Sequence, residues 1–144
     1  MRRLDHASIF VLIAGTYTPI CRLGLPDAVG GRLLVLIWIA AALGVLQSIF
    51  WVHAPKPVTA ALYLFVGWIV VPYFRVLGEA LSSGQIALLL GGGIIYSLGA
   101  VVYAARRPNP VPGVFGYHEV FHAMTVLACG LHYGLVAGLV RAAR

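Results

Sequence analysis

The chain has 144 residues, of which 61% are apolar and 10% charged, and its mean hydropathy is +0.95. Soluble domains carry about 25% charged residues, and a fold of this size in water needs more polar surface than this chain supplies. A soluble domain, a disordered chain, a collagen-like chain and a disulfide scaffold are excluded. The formal net charge is +6, from ten Lys and Arg against four Asp and Glu. The bases flank apolar runs, a pattern that meets lipid head groups, so membrane lipid is the expected partner and nucleic acid is not.

Crossing a hydrocarbon core takes ~20 apolar residues. Five runs qualify: 4–22, 33–52, 58–77, 86–105 and 115–140. Before the first, Met1-Arg2-Arg3 imitates a signal peptide, but Asp5 and His6 interrupt the basic region. Gly15-Thr16-Tyr17-Thr18-Pro19 is no small-residue cleavage site. The run therefore reads as a membrane helix. The breaks between runs hold turn chemistry: Pro26-Asp27 with Gly30-Gly31, Pro55-Lys56-Pro57, Ser82-Ser83-Gly84, and Pro108 to Gly113. The fold class is all-α: one polytopic integral membrane bundle over residues 1–144, with five transmembrane helices and antiparallel neighbours. Pro19 and Pro72 are expected to kink or end their helices. Gly130, Gly134 and Gly138 form a small-residue ridge, and Gly91-Gly92-Gly93 permits a close helix approach. Arg75 and Glu79, four apart, read as a surface ion pair. Cys21 and Cys129 form no CxxC and read as small packing residues.

Five crossings put Arg2, Arg3, Lys56, Arg106 and Arg107 on one side, and Arg22, Arg32, Arg75, Arg141 and Arg144 on the other. The balance leaves orientation undecided by the positive-inside rule. The same parity gathers polar residues. Asp5 and His6 start the first run, His53 follows the second, and His118, Glu119 and His122 start the fifth. All lie near one membrane face. His132, fourteen residues beyond His118, lies roughly 20 Å deeper.

His118 and His122 are four apart, so both imidazoles share a helix face and can reach one metal ion, with zinc the natural choice. The alternative is a pair of interfacial histidines bonded to backbone. Residues 118–122 also spell HExxH, in which Glu119 would be the general base of an intramembrane metalloprotease. Glu119 projects ~100° away from His118, which favours an interfacial or packing role. Asp27 lies on the wrong face to be a third ligand. Asp5 lies on the right one, where it can meet the metal, orient a water, or complement a helix dipole. His6 and His53 read as interfacial side chains, and His132 as a hydrogen-bonded interior histidine. Bis-histidine haem fails because His132 has no partner at its depth. Retinal fails because Lys56, the only lysine, lies in a Pro-flanked loop.

Two stretches resemble the hemolysin III family, within the progestin and adipoQ receptor superfamily. Leu4-Asp5-His6-Ala7-Ser8-Ile9, continuing to Ala14-Gly15-Thr16-Tyr17-Thr18-Pro19, is similar to the family's LDHSAI...AGTYTP helix. His118-Glu119-Val120-Phe121-His122, continuing to Gly130-Leu131-His132-Tyr133, is similar to its HEIFH...GxxxHF helix. The resemblance implies a seven-helix bundle in a bacterial plasma membrane, with zinc near the cytoplasmic face. His118 and His122 are the implied ligands, and Asp5 the holder of a metal-bound water. The animal receptors carry Gln where Glu119 stands, which argues against an essential base. The first run aligns with the family's third helix, so the family's first two helices and its third histidine are not represented. His6 or His53 is then a substitute ligand to look for, and self-association a consequence to expect. The implied activity is zinc-dependent hydrolysis of a lipid amide, or membrane homeostasis. The competing readings are a non-enzymatic lytic or pore-forming protein and the HExxH metalloprotease.

Overall fold

The computed structural model describes residues 2–51 and 53–143, and the side chains from residue 4 onward. The charge of Arg144, the side chains of Arg2 and Arg3, and the predicted helix end at Val52 lie outside the described residues. Six α-helices follow in order: α1 Arg2–Leu23, α2 Asp27–Phe50, α3 Lys56–Gly67, α4 Phe74–Ala80, α5 Ser83–Ala105 and α6 Tyr117–Ala142. A 3-10 turn, Val71–Tyr73, joins α3 to α4. Taken together, α3 and α4 make one of five segments long and apolar enough to span a bilayer. The protein is a multi-pass membrane helix bundle.

Several helix starts differ from expectation. The second helix begins at Asp27, not at 33, and passes through Gly30-Gly31. These glycines resemble a turn, yet Gly30 is a packing residue: a Cβ there would lie 2.0 Å from the Cys21 carbonyl. The fourth crossing begins at Ser83, not at 86. Ser82 and Gln85 form a capping box, with Gln85 Oε1 accepting the Ser82 N–H at 2.8 Å and Ser82 Oγ accepting the Gln85 N–H at 3.3 Å. The last helix begins at Tyr117, because Phe115 pairs with Val111 in a short antiparallel bridge. The third run starts earlier, at Lys56, and breaks after Gly67. Pro72 lacks an N–H and its ring opposes a continuous α-helix, so the chain tightens to 3-10 there. The break frees the Gly67 carbonyl, which accepts the Tyr17 hydroxyl. Pro19, by contrast, does not end α1, which continues to Leu23.

The most extensive contacts join α1 to α2 and α5 to α6; α3 lies against α5, and α1 also touches α6 and α3. Phe10 is fully buried and its ring meets Gly44 of α2, where a Cβ would come within 2.4 Å. On α5 a Cβ at Gly92 would lie 2.2 Å from Nε2 of His132. The Gly91-Gly92-Gly93 expectation therefore holds. The ridge of Gly130, Gly134 and Gly138 makes no close approach: nothing lies within 4 Å of a Cβ at Gly130, and the nearest atoms at the other two are 3.7 Å away. The snug glycines are those facing a large side chain. The outer faces are apolar too, as Val35, Ile39, Leu43 and Leu46 show along exposed α2, which is what a hydrocarbon surrounding requires.

Candidate metal centre

Three helix ends meet at one face of the bundle. The first turn of α1 carries Asp5, the first two turns of α6 carry His118 and His122, and the end of α5 carries Tyr103. Asp5 Oδ2 lies 3.7 Å from His118 Nε2, and Asp5 Oδ1 lies 3.4 Å from His122 Nε2. The two Nε2 atoms are 3.2 Å apart. All three side chains are half-buried, with 31% of Asp5, 41% of His118 and 40% of His122 exposed. One donor atom from each lies within 4.8 Å of the others.

This donor set fits a small cation. Zn–N bonds of ~2.0–2.1 Å in a tetrahedron separate neighbouring ligand atoms by ~3.3–3.4 Å. The two imidazole nitrogens, 3.2 Å apart, are close to that edge; Asp5 meets them through different oxygens, Oδ2 at His118 and Oδ1 at His122. Imidazole nitrogens and a carboxylate are also the ligand types zinc accepts.

An aromatic collar backs the cluster. The Tyr103 ring lies 6.2 Å from His118, Phe121 lies 5.4 Å from His122, and Tyr63 stacks on Phe121 at 6.5 Å. His6 does not join the three. Its Nε2 is 3.0 Å from the Tyr103 hydroxyl, and its backbone carbonyl accepts the Tyr63 hydroxyl at 3.2 Å. His53 is an exposed turn residue outside the cluster. Glu119 turns its Oε2 back to the Gly116 N–H at 2.8 Å and is a helix cap. His132 bonds through Nε2 to the Leu89 carbonyl at 3.2 Å, far from the cluster, as an interior histidine.

Tyr103 and Tyr63 are not singled out by the sequence, and Lys56 is read there only as a base in a Pro-flanked loop. Lys56 is not a loop residue. It opens α3, donates to the Tyr117 hydroxyl, and lies 4.2 Å from the centre of the Tyr117 ring and 5.2 Å from that of Tyr103. The usable signal was parity: Tyr103 ends a run, and Lys56 starts one, at the face that carries the histidines.

The fold and this cluster define a class, the multi-pass helical membrane proteins with an Asp–His–His group at one bundle end. A family model described as "Haemolysin-III related" matches residues 1–133, and the chain belongs to that family. It is 39% identical over 100 residues to "Hemolysin-3" of Bacillus cereus, covering 69% of this chain and 46% of that protein. It is 34% identical over 123 residues to "Hemolysin-3 homolog" of Bacillus subtilis, covering 85% and 55% respectively. It is 26% identical over 148 residues to "Adiponectin receptor protein" of Drosophila melanogaster, covering 91% of this chain and 33% of that one. The chain thus spans about half the length of the bacterial relatives it matches. No solved structure matches it significantly.

Proposed function

We propose that His118 and His122 hold a zinc ion and that the chain serves hydrolysis of a membrane lipid amide at the cytoplasmic face of a bacterial plasma membrane. The observation that carries this reading is the convergence of Asp5, His118 and His122 from two helices. A bound zinc ion supplies Lewis acidity that makes water nucleophilic near neutral pH. His118 and His122 present their Nε2 atoms from one helix face, 3.2 Å apart. Asp5 accepts a hydrogen bond from water at the cluster and orients its lone pair toward a carbonyl carbon. Tyr103, Tyr63 and Phe121 wall the inner side and keep bulk water on the outer one. Glu119 is given no part in the step, since its carboxylate caps α6 at the Gly116 N–H, whereas the protease reading needs it as the base.

The test is zinc per chain after extensive dialysis, with fatty acid released from a lipid amide as the second readout. Wild type should retain about one zinc, and H118A and H122A almost none, whereas H132A should match wild type. Equal zinc in wild type and H118A ends the reading. A second reading follows from the relatives' name, hemolysin: a non-enzymatic action on membranes. Leakage of liposomes without lipid turnover, unaffected by chelator, would favour it.

A further inference from the structure

The molecule has one lysine, and its setting is unusual. Lys56 occupies the first turn of α3, where the helix dipole already raises the positive potential and an ammonium is disfavoured. No carboxylate lies within ion-pair distance of it among the described residues. The ammonium is instead held by neutral groups: the Tyr117 hydroxyl and the rings of Tyr117 and Tyr103. Such a corner lowers the loss of side-chain freedom on binding, because the cation is already placed. An ammonium has three N–H donors, and only the Tyr117 bond is seen to use one. Lys56 is only half-buried, so the remaining donors have a way out. Two more cations share the face. Arg106 and Arg107 leave α5 immediately after Tyr103's turn, and both are exposed. Three cations therefore lie at the bundle end that carries the Asp5–His118–His122 cluster, with Lys56 seated over the Tyr103 ring.

We infer that Lys56, with Arg106 and Arg107 at the same bundle end, is a receptor for the phosphate of an anionic membrane lipid. Each Lys or Arg at a bilayer surface attracts anionic lipid, and the tyrosine corner turns that general attraction into a fixed site. The ligand's acyl chains stay in the bilayer while its phosphate receives the free N–H groups of Lys56. The site is independent of the zinc reading and stands if that reading fails.

Because Lys56 is the sole lysine, ¹⁵N-lysine labelling gives one side-chain Nζ resonance. The full chain in neutral detergent is titrated with phosphatidylglycerol, with phosphatidylcholine, and with inorganic phosphate. The expected result is a saturable Nζ shift with phosphatidylglycerol alone, unchanged by chelator and retained in H118A. Native mass spectrometry of lipid carried through purification is the second measurement. K56M should retain phosphatidylglycerol roughly fivefold less than wild type, and K56R, which keeps charge and ring stacking, should retain it nearly as well. An Nζ resonance indifferent to phosphatidylglycerol, or equal retention by wild type and K56M, overturns the inference. An equal shift with inorganic phosphate overturns the lipid assignment, because the ligand is then a free anion.

Discussion

Helix α6 carries three histidines in two settings, and their contrast explains how this bundle uses polar groups. His118 and His122 sit at the bundle end, half-exposed, beside a carboxylate from another helix and within 3.2 Å of each other. His132 lies inside, bonded to a backbone carbonyl of α5, with its Nδ1 buried and unpartnered. The inner histidine is held by shape. Its ring occupies the space left by Gly92 and lies 6.0 Å from the Tyr96 ring. The outer pair is held by polar contacts, a hydrogen bond between the two imidazoles and the Asp5 carboxylate beside both. One residue type on one helix thus packs against a glycine at one depth and joins a polar cluster at another.

The sharpest way to break this contrast is to fill the inner space. In G92L the new side chain must displace the His132 ring and detach it from the Leu89 carbonyl. We expect a loss of ~3 kcal/mol in unfolding free energy, at the upper end for overpacking. The control is G130A, where nothing lies within 4 Å; there Ala should be neutral or stabilising by up to ~1 kcal/mol through helix propensity. Zinc content should stay at the wild-type level in both variants. Equal stability of G92L and wild type would show that the glycine is not what seats His132.

The outer setting is tested by D5N, which keeps shape and removes charge. If Asp5 orients water and supports the ion from outside its nitrogen ligands, zinc affinity should fall by ~10–100-fold, less than the near-complete loss in H118A. Competition with a chromogenic chelator measures this directly. An unchanged affinity would assign Asp5 to the alternative role, complementing the dipole of α1.

The two settings were unequally legible in the sequence. The outer cluster followed from parity and spacing: with short loops the starts of the first and last helices share a face, and residues four apart share a side. The helix starts were harder, because turn residues and first-turn residues overlap in type. Gly30-Gly31 and Ser83-Gly84 read as turn chemistry, yet they lie in the first turns of α2 and α5. Ser82, exposed before α5, is its cap. The reverse error concerned Gly130, Gly134 and Gly138, whose spacing suggests tight packing where none occurs. Such a ridge works only when a partner presents a complementary surface, and spacing on one helix carries no information about the other. Tyr103 escaped notice for a related reason: an aromatic residue near a helix end reads equally well as a lipid anchor, and only the fold turns it toward His6.

The smallest effect is the one that best separates the collar from the centre. Y103F removes the hydroxyl that lies 3.0 Å from His6 Nε2 while keeping the ring that backs His118 and faces Lys56. Losing one hydrogen bond of this kind costs ~1 kcal/mol, so the variant should unfold slightly earlier than wild type. Its zinc affinity should not change, because the histidines that would bind the ion are walled by the ring and not by the hydroxyl. The Lys56 Nζ resonance should keep its position for the same reason, since the cation meets the ring face. Thermal unfolding, chelator competition and the Nζ spectrum on one preparation separate these outcomes. A drop in zinc affinity matching that of D5N would mean that the His6–Tyr103 pair positions the metal site, and the collar would then belong to the centre it surrounds.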